Sequence, residues 1–214
     1  MSKFLALNIS ISEDGFMAGV NQSEAVPLGE GGDLLHSWAF ATEAFQEWHG
    51  ETGGSVGIDN DYIRRGFENI GASIMGRNMF GPVRGVWPNN DWKGWWGANP
   101  GFKHQVFVLT HYPRESLDMG NGTVFVFVTD GIEKACEMAV EAASGRDIRI
   151  GGGAQTIQQF LESGSLDELH VVQVPVKLNS GELLITDKSV QLKNYRATAP
   201  VISDSVVHQS YLRI

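Results

Sequence analysis

Hydrophobic and polar residues alternate in FLALNISI, near the start of the chain, and this period of two is typical of a β-strand. The apolar positions are Leu5, Leu7, Ile9 and Ile11, and the loop EDGFMAG follows them. Short apolar or alternating runs predict further strands at ASIMG, QVFVLT, VFVFV, DIRI, LDELHVVQVPVKL and, in the C-terminal tail, SVQLKNYRATAP and SVVHQSYLRI. Strands are therefore expected in both halves of the chain.

A second pattern, in which apolar residues recur three and four positions apart, predicts helices between the strands. Helices are predicted around residues 36–48, 59–69 and 132–143. A further helix is predicted after DIRIGGG, where Ile157, Phe160 and Leu161 share one face and Gly164 is a natural stop.

The order of these elements predicts an α/β fold. Strands alternate with helices in the first part of the chain, which favours a parallel sheet, and strands follow strands at the C-terminus, which favours antiparallel pairing. The expected architecture is a mostly parallel sheet with antiparallel C-terminal edge strands, flanked by helices. A length of 214 residues fits one domain spanning residues 1–214.

Three consecutive glycines, Gly151–Gly153, connect the predicted strand DIRI to the helix that follows it. The N-terminus of a helix presents free N–H groups, and glycine lets a phosphate approach the backbone closely, so this glycine turn is a candidate anion site. A tight strand-to-helix turn would also favour glycine. The pattern G-x-G-x-x-G of common dinucleotide-binding domains is not met, because position 156 is Thr.

Two other predicted strand ends carry residues that bind phosphate. Gly76, Arg77 and Asn78 follow one strand, and Thr110 and His111 follow another. In open α/β sheets, ligands bind beyond the carboxyl ends of the strands, so these residues are expected to meet near the glycine turn. Together they favour a phosphate-rich ligand.

The composition of the chain argues against several other classes of protein. A formal net charge of −9 argues against a nucleic-acid partner or an anionic membrane surface. The single cysteine fits a reducing compartment, and the N-terminal residues alternate instead of forming the apolar block of a signal peptide. We therefore expect a cytoplasmic protein with no membrane partner.

Other catalytic motifs are weak or missing in the sequence. The six histidines lack the spacing of a zinc site, so no metal is expected and a metal-dependent hydrolase is a distant alternative. The aromatic loop PVRGVWPNNDWKGWWGANPGF, residues 82–102, is either a lid over an aromatic ligand or a self-packed surface loop.

Taken in order, five stretches of the chain resemble the dihydrofolate reductase-like superfamily, which includes the reductase domain of the bifunctional riboflavin-biosynthesis deaminase-reductase. The stretches are the first strand with SEDGFMAG, then ASIMGRNMFG, VFVLTHYPR, DIRIGGGAQTIQQFL and GSLDELHVVQVPV. The resemblance implies a stand-alone NADPH-dependent reductase on a twisted, largely parallel sheet. Its mechanism would be hydride transfer to a small heterocyclic substrate.

The resemblance also implies a set of cofactor contacts. They are Met17, Gly76, Arg77, Asn78, Thr110, His111, Ile150, Gly151, Gly152, Gly153, Ala154 and Gln155. The glycine turn is expected to cradle the pyrophosphate, and Arg77, with Thr110 and His111, is expected to lie near the 2′-phosphate. Met17 is expected to border the nicotinamide.

The substrate is less well defined than the cofactor. Counting back from the ASIMG strand, as in dihydrofolate reductases, makes Asp61 or Asp59 the candidate catalytic carboxylate, although both would also suit the start of a helix. The riboflavin reductases usually carry an acidic residue before two glycines, where this chain has Ile150 and Gly151. A reductase of the riboflavin type, a dihydrofolate or pterin reductase and a non-catalytic NADPH-binding protein all stay open, and the C-terminal edge strands would suit a homodimer.

Overall fold

The structure is a computed structural model that describes residues 2–82, 84–88 and 91–214. Twelve strands lie within these residues. They are β1 (Phe4–Ile11), β2 (Phe16–Ala18), β3 (Ile70–Gly76), β4 (Gln105–Leu109), β5 (Leu117–Asp118), β6 (Val124–Val128), β7 (Asp147–Ile150), β8 (Glu168–Gln173), β9 (Glu182–Leu183), β10 (Tyr195–Ala197), β11 (Val201–Ile202) and β12 (Val207–Arg213).

Ten of these strands form one mixed sheet. Its order is β10-β12-β8-β1-β7-β3-β4-β6-β5, and β11 pairs with β12. Neighbouring strands from β8 to β6 are parallel, whereas β12, β10 and β5 run antiparallel to their neighbours. The sheet confirms the predicted fold class, and β5 adds a second antiparallel edge that the sequence patterns did not predict. Strands β2 and β9 form a separate two-stranded ribbon.

Seven α-helices and one 3-10 helix lie among the described residues. They are the 3-10 helix Gly32–His36, α1 (Ser37–Phe40), α2 (Glu43–Trp48), α3 (Ile58–Arg65), α4 (Arg77–Phe80), α5 (Gly131–Ala143), α6 (Ala154–Ser163) and α7 (Lys188–Gln191). The helix predicted over residues 36–48 is divided in two, because Thr42 leaves the helical conformation and its hydroxyl accepts a hydrogen bond from the Phe45 N–H at 3.3 Å. Part of SVQLKNYRATAP, predicted as strand, forms α7.

The main hydrophobic core lies between the parallel strands and helices α5 and α6. Ile148 and Ile150 of β7 are fully buried there with Ile157 and Leu161 of α6. The opposite face of the sheet packs against the aromatic residues of the loop after α4. Since the parallel strands all point one way, their carboxyl ends share one edge of the molecule, and that edge carries the cavities described next. No helix in the described ranges combines the length and apolar character needed to cross a bilayer.

Candidate active site

A cleft of about 360 Å³ opens at the carboxyl ends of β3 and β4, against the start of α6. Its lining brings together most of the residues predicted to contact phosphate: Gly76, Arg77, Asn78, Thr110, His111, Gly153, Ala154 and Gln155. Three strand ends that are distant in sequence therefore meet at one site, as the topology of the sheet requires.

A second cavity, the chamber, has a volume of about 550 Å³ and lies beside the cleft. Its walls are largely aromatic and apolar, with Phe40, Phe45, Trp48, Phe67, Trp95 and Trp96 among the lining residues. Asn78, Gly153, Ala154 and Glu182 line both cavities, so the two spaces adjoin at the glycine turn. A polar cleft that leads into an aromatic chamber suits an extended ligand with charged and planar parts.

The glycine turn packs tightly against the end of β3. The Gly76 N–H donates to the Gly152 oxygen at 2.7 Å, and the Gly151 N–H donates to the Ile74 oxygen at 2.9 Å. A Cβ atom at Gly76 would lie 2.7 Å from the Thr156 hydroxyl oxygen, which is closer than real Cβ contacts. Close packing thus accounts for some of these glycines without a ligand.

The start of α6 also retains the features of an anion site. Gly153 caps the helix in an extended conformation, and no side chain caps the free N–H groups. Ala154 and Gln155, the first two helical residues, line the cleft. A Cβ atom at Gly153 would meet only the Glu182 carboxylate, at 3.8 Å, so the glycine keeps the backbone open towards the junction. Both explanations of the glycines therefore apply, at different positions of the turn.

Arg77 lies in the cleft without a hydrogen-bond acceptor in the described part of the chain. Its Nε and both terminal nitrogens are buried and unpartnered. The guanidinium lies 3.7 Å from the centre of the Trp87 ring and 5.3 Å from that of Tyr112. Burial lowers the pKa of Arg77, and the cations Arg84 and Arg114 lower it further. A buried cation that lacks an acceptor is the arrangement that a bound phosphate would complete.

Comparison with known families decides the assignment. The sequence profile of the RibD C-terminal domain matches residues 3–207, nearly the whole chain. The chain belongs to the RibD C-terminal domain family.

Solved structures share the fold of this RibD C-terminal domain. A protein from Shewanella sp. PV-4 assigned to riboflavin biosynthesis is 21% identical, with a TM-score of 0.61, and the match covers 100% of this chain and 99% of that one. Enterococcus faecalis dihydrofolate reductase complexed with NADP(H) is 15% identical, with a TM-score of 0.50 and coverages of 100% and 96%.

A third structure is the Thermotoga maritima diaminohydroxyphosphoribosylaminopyrimidine deaminase/5-amino-6-(5-phosphoribosylamino)uracil reductase. It is 11% identical, with a TM-score of 0.53, and the match covers 100% of this chain and 57% of that one. At these identities the likeness shows a common fold, the dihydrofolate reductase-like fold expected from the sequence. No curated protein sequence matches the chain significantly.

Several residues that were predicted to contact the cofactor do not line the cleft. Met17 and Gly151 line the chamber. The Ile150 side chain is fully buried in the main core and lines neither cavity, because alternation along β7 turns it away from them. Gly152 lies between lining residues, near the Met17 and Met79 side chains.

The two candidate carboxylates do not reach the chamber. Asp61 is exposed and is absent from the lining of both cavities. Asp59 accepts a 2.8 Å hydrogen bond from His208 of β12. Neither residue caps α3 with its side chain, because Gly57 holds the cap position. Both aspartates do lie in the first turn of α3, at the start of the helix, but neither caps it. The chamber draws its ionisable groups from elsewhere.

The aromatic loop is packed against itself and also forms part of the chamber wall. Trp95 and Trp96 line the chamber, and both indole N–H groups donate to the Met79 oxygen, at 2.7 and 2.8 Å. Trp87 and Trp92 pack edge-on against Phe80. Residues 83, 89 and 90 of this loop lie outside the described ranges. The loop is thus anchored by its own tryptophans while it walls the chamber.

Sequence reasoning missed the ionisable groups that line the chamber. Within the described lining these are His36, His49, Arg149 and Glu182. Burial lowers the pKa of His36 to about 4, so this ring is neutral at pH 7. Glu182 arrives through the pairing of β9 with β2, a ribbon that no sequence pattern predicted. Arg149 had a visible signal, since it is a charged residue in a strand that the predicted parallel sheet would cover on both faces.

Proposed function

We propose that the chain is an NADPH-dependent reductase that transfers a hydride to a small heterocyclic substrate, most like the 5-amino-6-(5-phosphoribosylamino)uracil reductases. One observation carries the proposal: a cationic cleft with an open helix N-terminus adjoins an aromatic chamber at the glycine turn. Membership of the RibD C-terminal domain family supports it.

The residues of the cleft fit the phosphates of a dinucleotide. The uncapped start of α6 and the Arg77 guanidinium each offer donors that have no acceptor in the described part of the chain. Thr110 and His111 line the same space. In this arrangement α6 would hold the pyrophosphate, and Arg77 would hold the 2′-phosphate that distinguishes NADPH from NADH.

The chamber fits the reacting rings. Its apolar walls exclude water, and Met17 with Gly151 borders the junction where the nicotinamide would enter. NADPH supplies the hydride when bound, and the chain supplies orientation and a dry site. Glu182 is the only carboxylate in the described lining of the chamber, so we assign it the proton that accompanies reduction of a C=N or C=O bond.

Two alternative functions would each require a different use of the cleft and the chamber. A pterin reductase of the dihydrofolate type would require a buried carboxylate on the helix before β3, whereas Asp61 is exposed and Asp59 is bonded to His208. A non-catalytic NADPH-binding protein would bind NADPH in the cleft but would bind no hydride-accepting substrate in the chamber. The placement of the two aspartates favours the riboflavin type over the folate type.

The test follows NADPH oxidation by the purified protein with 5-amino-6-(5-phosphoribosylamino)uracil, its dephosphorylated form and 7,8-dihydrofolate. We expect turnover with a ribosylaminouracil and none with dihydrofolate. Turnover with dihydrofolate alone would favour the pterin reductase, and NADPH binding without oxidation by any of the three would favour the non-catalytic protein. A single domain over residues 1–214, a homodimer and a cytoplasmic location stay predictions.

A further inference from the structure

A second arginine that lacks a hydrogen-bond acceptor in the described part of the chain lies at the chamber, away from the cofactor cleft. Arg149 occupies the middle of the sheet, on β7, where it pairs in register with Leu5 of β1 and Ser73 of β3. Its Nε is buried and unpartnered, and no ion pair among the described residues includes it. Central parallel strands are normally apolar on both faces, so a cation here needs an explanation that the sheet does not supply.

The guanidinium of Arg149 keeps its charge at neutral pH. Burial lowers the pKa of Arg149 to about 10, which is still well above 7. The neighbouring His104 offers no negative charge, because burial and the cations Arg149 and Arg146 lower its pKa to about 4. A desolvated cation without a counterion is costly, and a bound anion would remove that cost.

Arg149 lines two cavities, the chamber and a smaller cavity of about 250 Å³. Phe67 also lines both, so the two spaces adjoin at this point. The smaller cavity has a second cation in its lining, Lys103. Glu47 is the one carboxylate in its described lining, and it pairs with Arg64 at 3.0 Å. The smaller cavity is therefore a positively charged extension of the chamber.

The place of Arg149 on β7 sets the distance between this extension and the reacting ring. Gly151 borders the junction with the cleft and lies two residues further along the chain, on the same side, at a rise of about 7 Å. A pentose spans a comparable length between a base and its phosphate. The chamber also has polar lining residues that suit the hydroxyl groups of a sugar, namely Asn8, Ser10, Gln22, His36, His49 and Asn78.

We propose that Arg149 is a specificity-determining residue that binds the phosphate of a phosphoribosylated acceptor, with the acceptor ring at the glycine turn and the phosphate beside Lys103 in the smaller cavity. A guanidinium fork matches phosphate oxygens in shape, and two cations balance the charge of a phosphomonoester. The inference rests on the proposed function for the identity of the acceptor. It makes the phosphorylated ribosylaminouracil the preferred one of the two forms.

The test titrates 5-amino-6-(5-phosphoribosylamino)uracil and its dephosphorylated form calorimetrically into the protein without NADPH, so that no turnover occurs. We expect the phosphorylated form to bind at least tenfold more tightly, as one charge-assisted contact allows. Arg149→Gln should remove most of this preference and leave the affinity for the dephosphorylated form unchanged, whereas Arg149→Lys should keep part of it. Arg146→Gln is the matched control, an exposed arginine three positions away that should keep all of it.

Arg77 provides the control for a phosphate that enters the cofactor cleft instead. Arg77→Gln should keep the preference for the phosphorylated form if the phosphate lies beside Arg149. Loss of the preference in Arg77→Gln, with its retention in Arg149→Gln, would overturn the proposal. Equal affinity for the two forms, or no binding of either at millimolar concentration, would overturn it as well.

A thermal melt separates binding from a structural role. Arg149→Met should raise the Tm of the free protein, because an uncompensated buried charge is removed. A lower Tm in Arg149→Met, together with an intact phosphate preference in Arg149→Gln, would show a structural arginine and overturn the proposal.

NADPH titrations of the wild-type and Arg149→Gln proteins keep this result distinct from the reductase assignment. NADPH binding unaffected by the substitution, together with loss of the phosphate preference, supports the phosphate site. NADPH binding without any phosphate preference in the wild type overturns the role of Arg149 alone. A phosphate preference that Arg149→Gln removes, without NADPH binding by either protein, contradicts the reductase and leaves the phosphate site in place.

Discussion

At the residue scale, the cleft and the chamber each contain an arginine with a buried side-chain nitrogen that has no hydrogen-bond partner among the described residues. Arg77 lies under Trp87 in the cleft, and Arg149 lies beside Phe67 in the chamber. Desolvated cations cost stability in a protein without its ligand, so such positions are retained where a ligand supplies the missing charge. The two arginines mark the two ends of the proposed ligand arrangement.

Replacing Arg77 tests the cofactor end. Arg77→Ala should weaken NADPH binding by about one to two decades, equivalent to roughly 1.5–3 kcal/mol, because a charge-assisted contact to the 2′-phosphate is lost. NADH, which lacks that phosphate, should bind almost as before. The two dissociation constants can be measured by fluorescence titration, with the exposed Arg146→Ala as the control. Equal weakening of both cofactors would refute this role for Arg77.

Replacing Glu182 tests the proton source. Glu182→Gln should lower NADPH oxidation with the ribosylaminouracil by about a hundredfold or more, the usual contribution of a general acid, and should leave NADPH affinity within a few fold. Single-turnover kinetics would measure the effect, with Glu141→Gln on the exposed face of α5 as the control. A large loss in Asp61→Asn, with Glu182→Gln fully active, would instead support the carboxylate expected from the sequence.

At the element scale, the site depends on how closely β3 approaches α6. The hydrogen bond from Gly76 to Gly152 ties the strand end to the glycine turn. Gly76 has ordinary extended backbone angles, so glycine is required there by space and not by conformation. The contact that sets this requirement is the Thr156 hydroxyl.

Gly76→Ala should therefore destabilise the protein by about 1–3 kcal/mol, as an overpacked contact does. Gly151→Ala is the stability control, because its Cβ would meet no atom closer than 3.7 Å. Adding Thr156→Ala should recover part of the loss in the double mutant, since the clashing atom is then absent. Urea denaturation of the wild type, Gly76→Ala, Thr156→Ala, the double mutant and the Gly151→Ala control gives the comparison, and an additive double mutant would contradict the packing argument.

Local patterns predicted the elements that carry strong periodicity. The strand β1, the helix α5 and the unit from β7 to α6 followed their apolar patterns because one face of each is buried in the main core. The meeting of Gly76, Thr110 and the glycine turn at one cleft was predicted as well, since the carboxyl ends of parallel strands share one edge of the sheet. The ribbon of β2 and β9 and the hydrogen bond between His208 and Asp59 depend on contacts distant in sequence, which no local pattern encodes. The division between α1 and α2 is different, because the Thr42 cap that causes it is a local signal.

At the scale of the whole molecule, three histidines with lowered pKa values link stability to pH; His170 is buried, and His36 and His104 are half-buried. Burial lowers the pKa of His36 and of His104 to about 4, and that of His170 to about 3, whereas an unfolded histidine titrates near 6.5. As the pH falls below about 6.5, the unfolded chain takes up protons that the folded protein does not. The folded state is therefore favoured above this value and loses stability below it.

The free energy of unfolding should fall between pH 6.5 and pH 4 by up to about 1.4 kcal/mol per histidine per pH unit. Urea denaturation across that range measures the slope. His104→Asn, which removes one of these rings, should make the slope shallower. Stability that is unchanged from pH 7 to pH 5 would contradict the neutral state of these histidines.

The central claim about the whole molecule is that the cleft and the chamber together bind NADPH. The most direct measurement is a titration of the pure protein with NADPH, and with NADH for comparison, that follows the fluorescence of the tryptophans beside the two cavities. We predict saturable quenching that favours NADPH over NADH by about one to two decades. Failure of both cofactors to bind would contradict the reductase and leave the chain with the fold of its family alone.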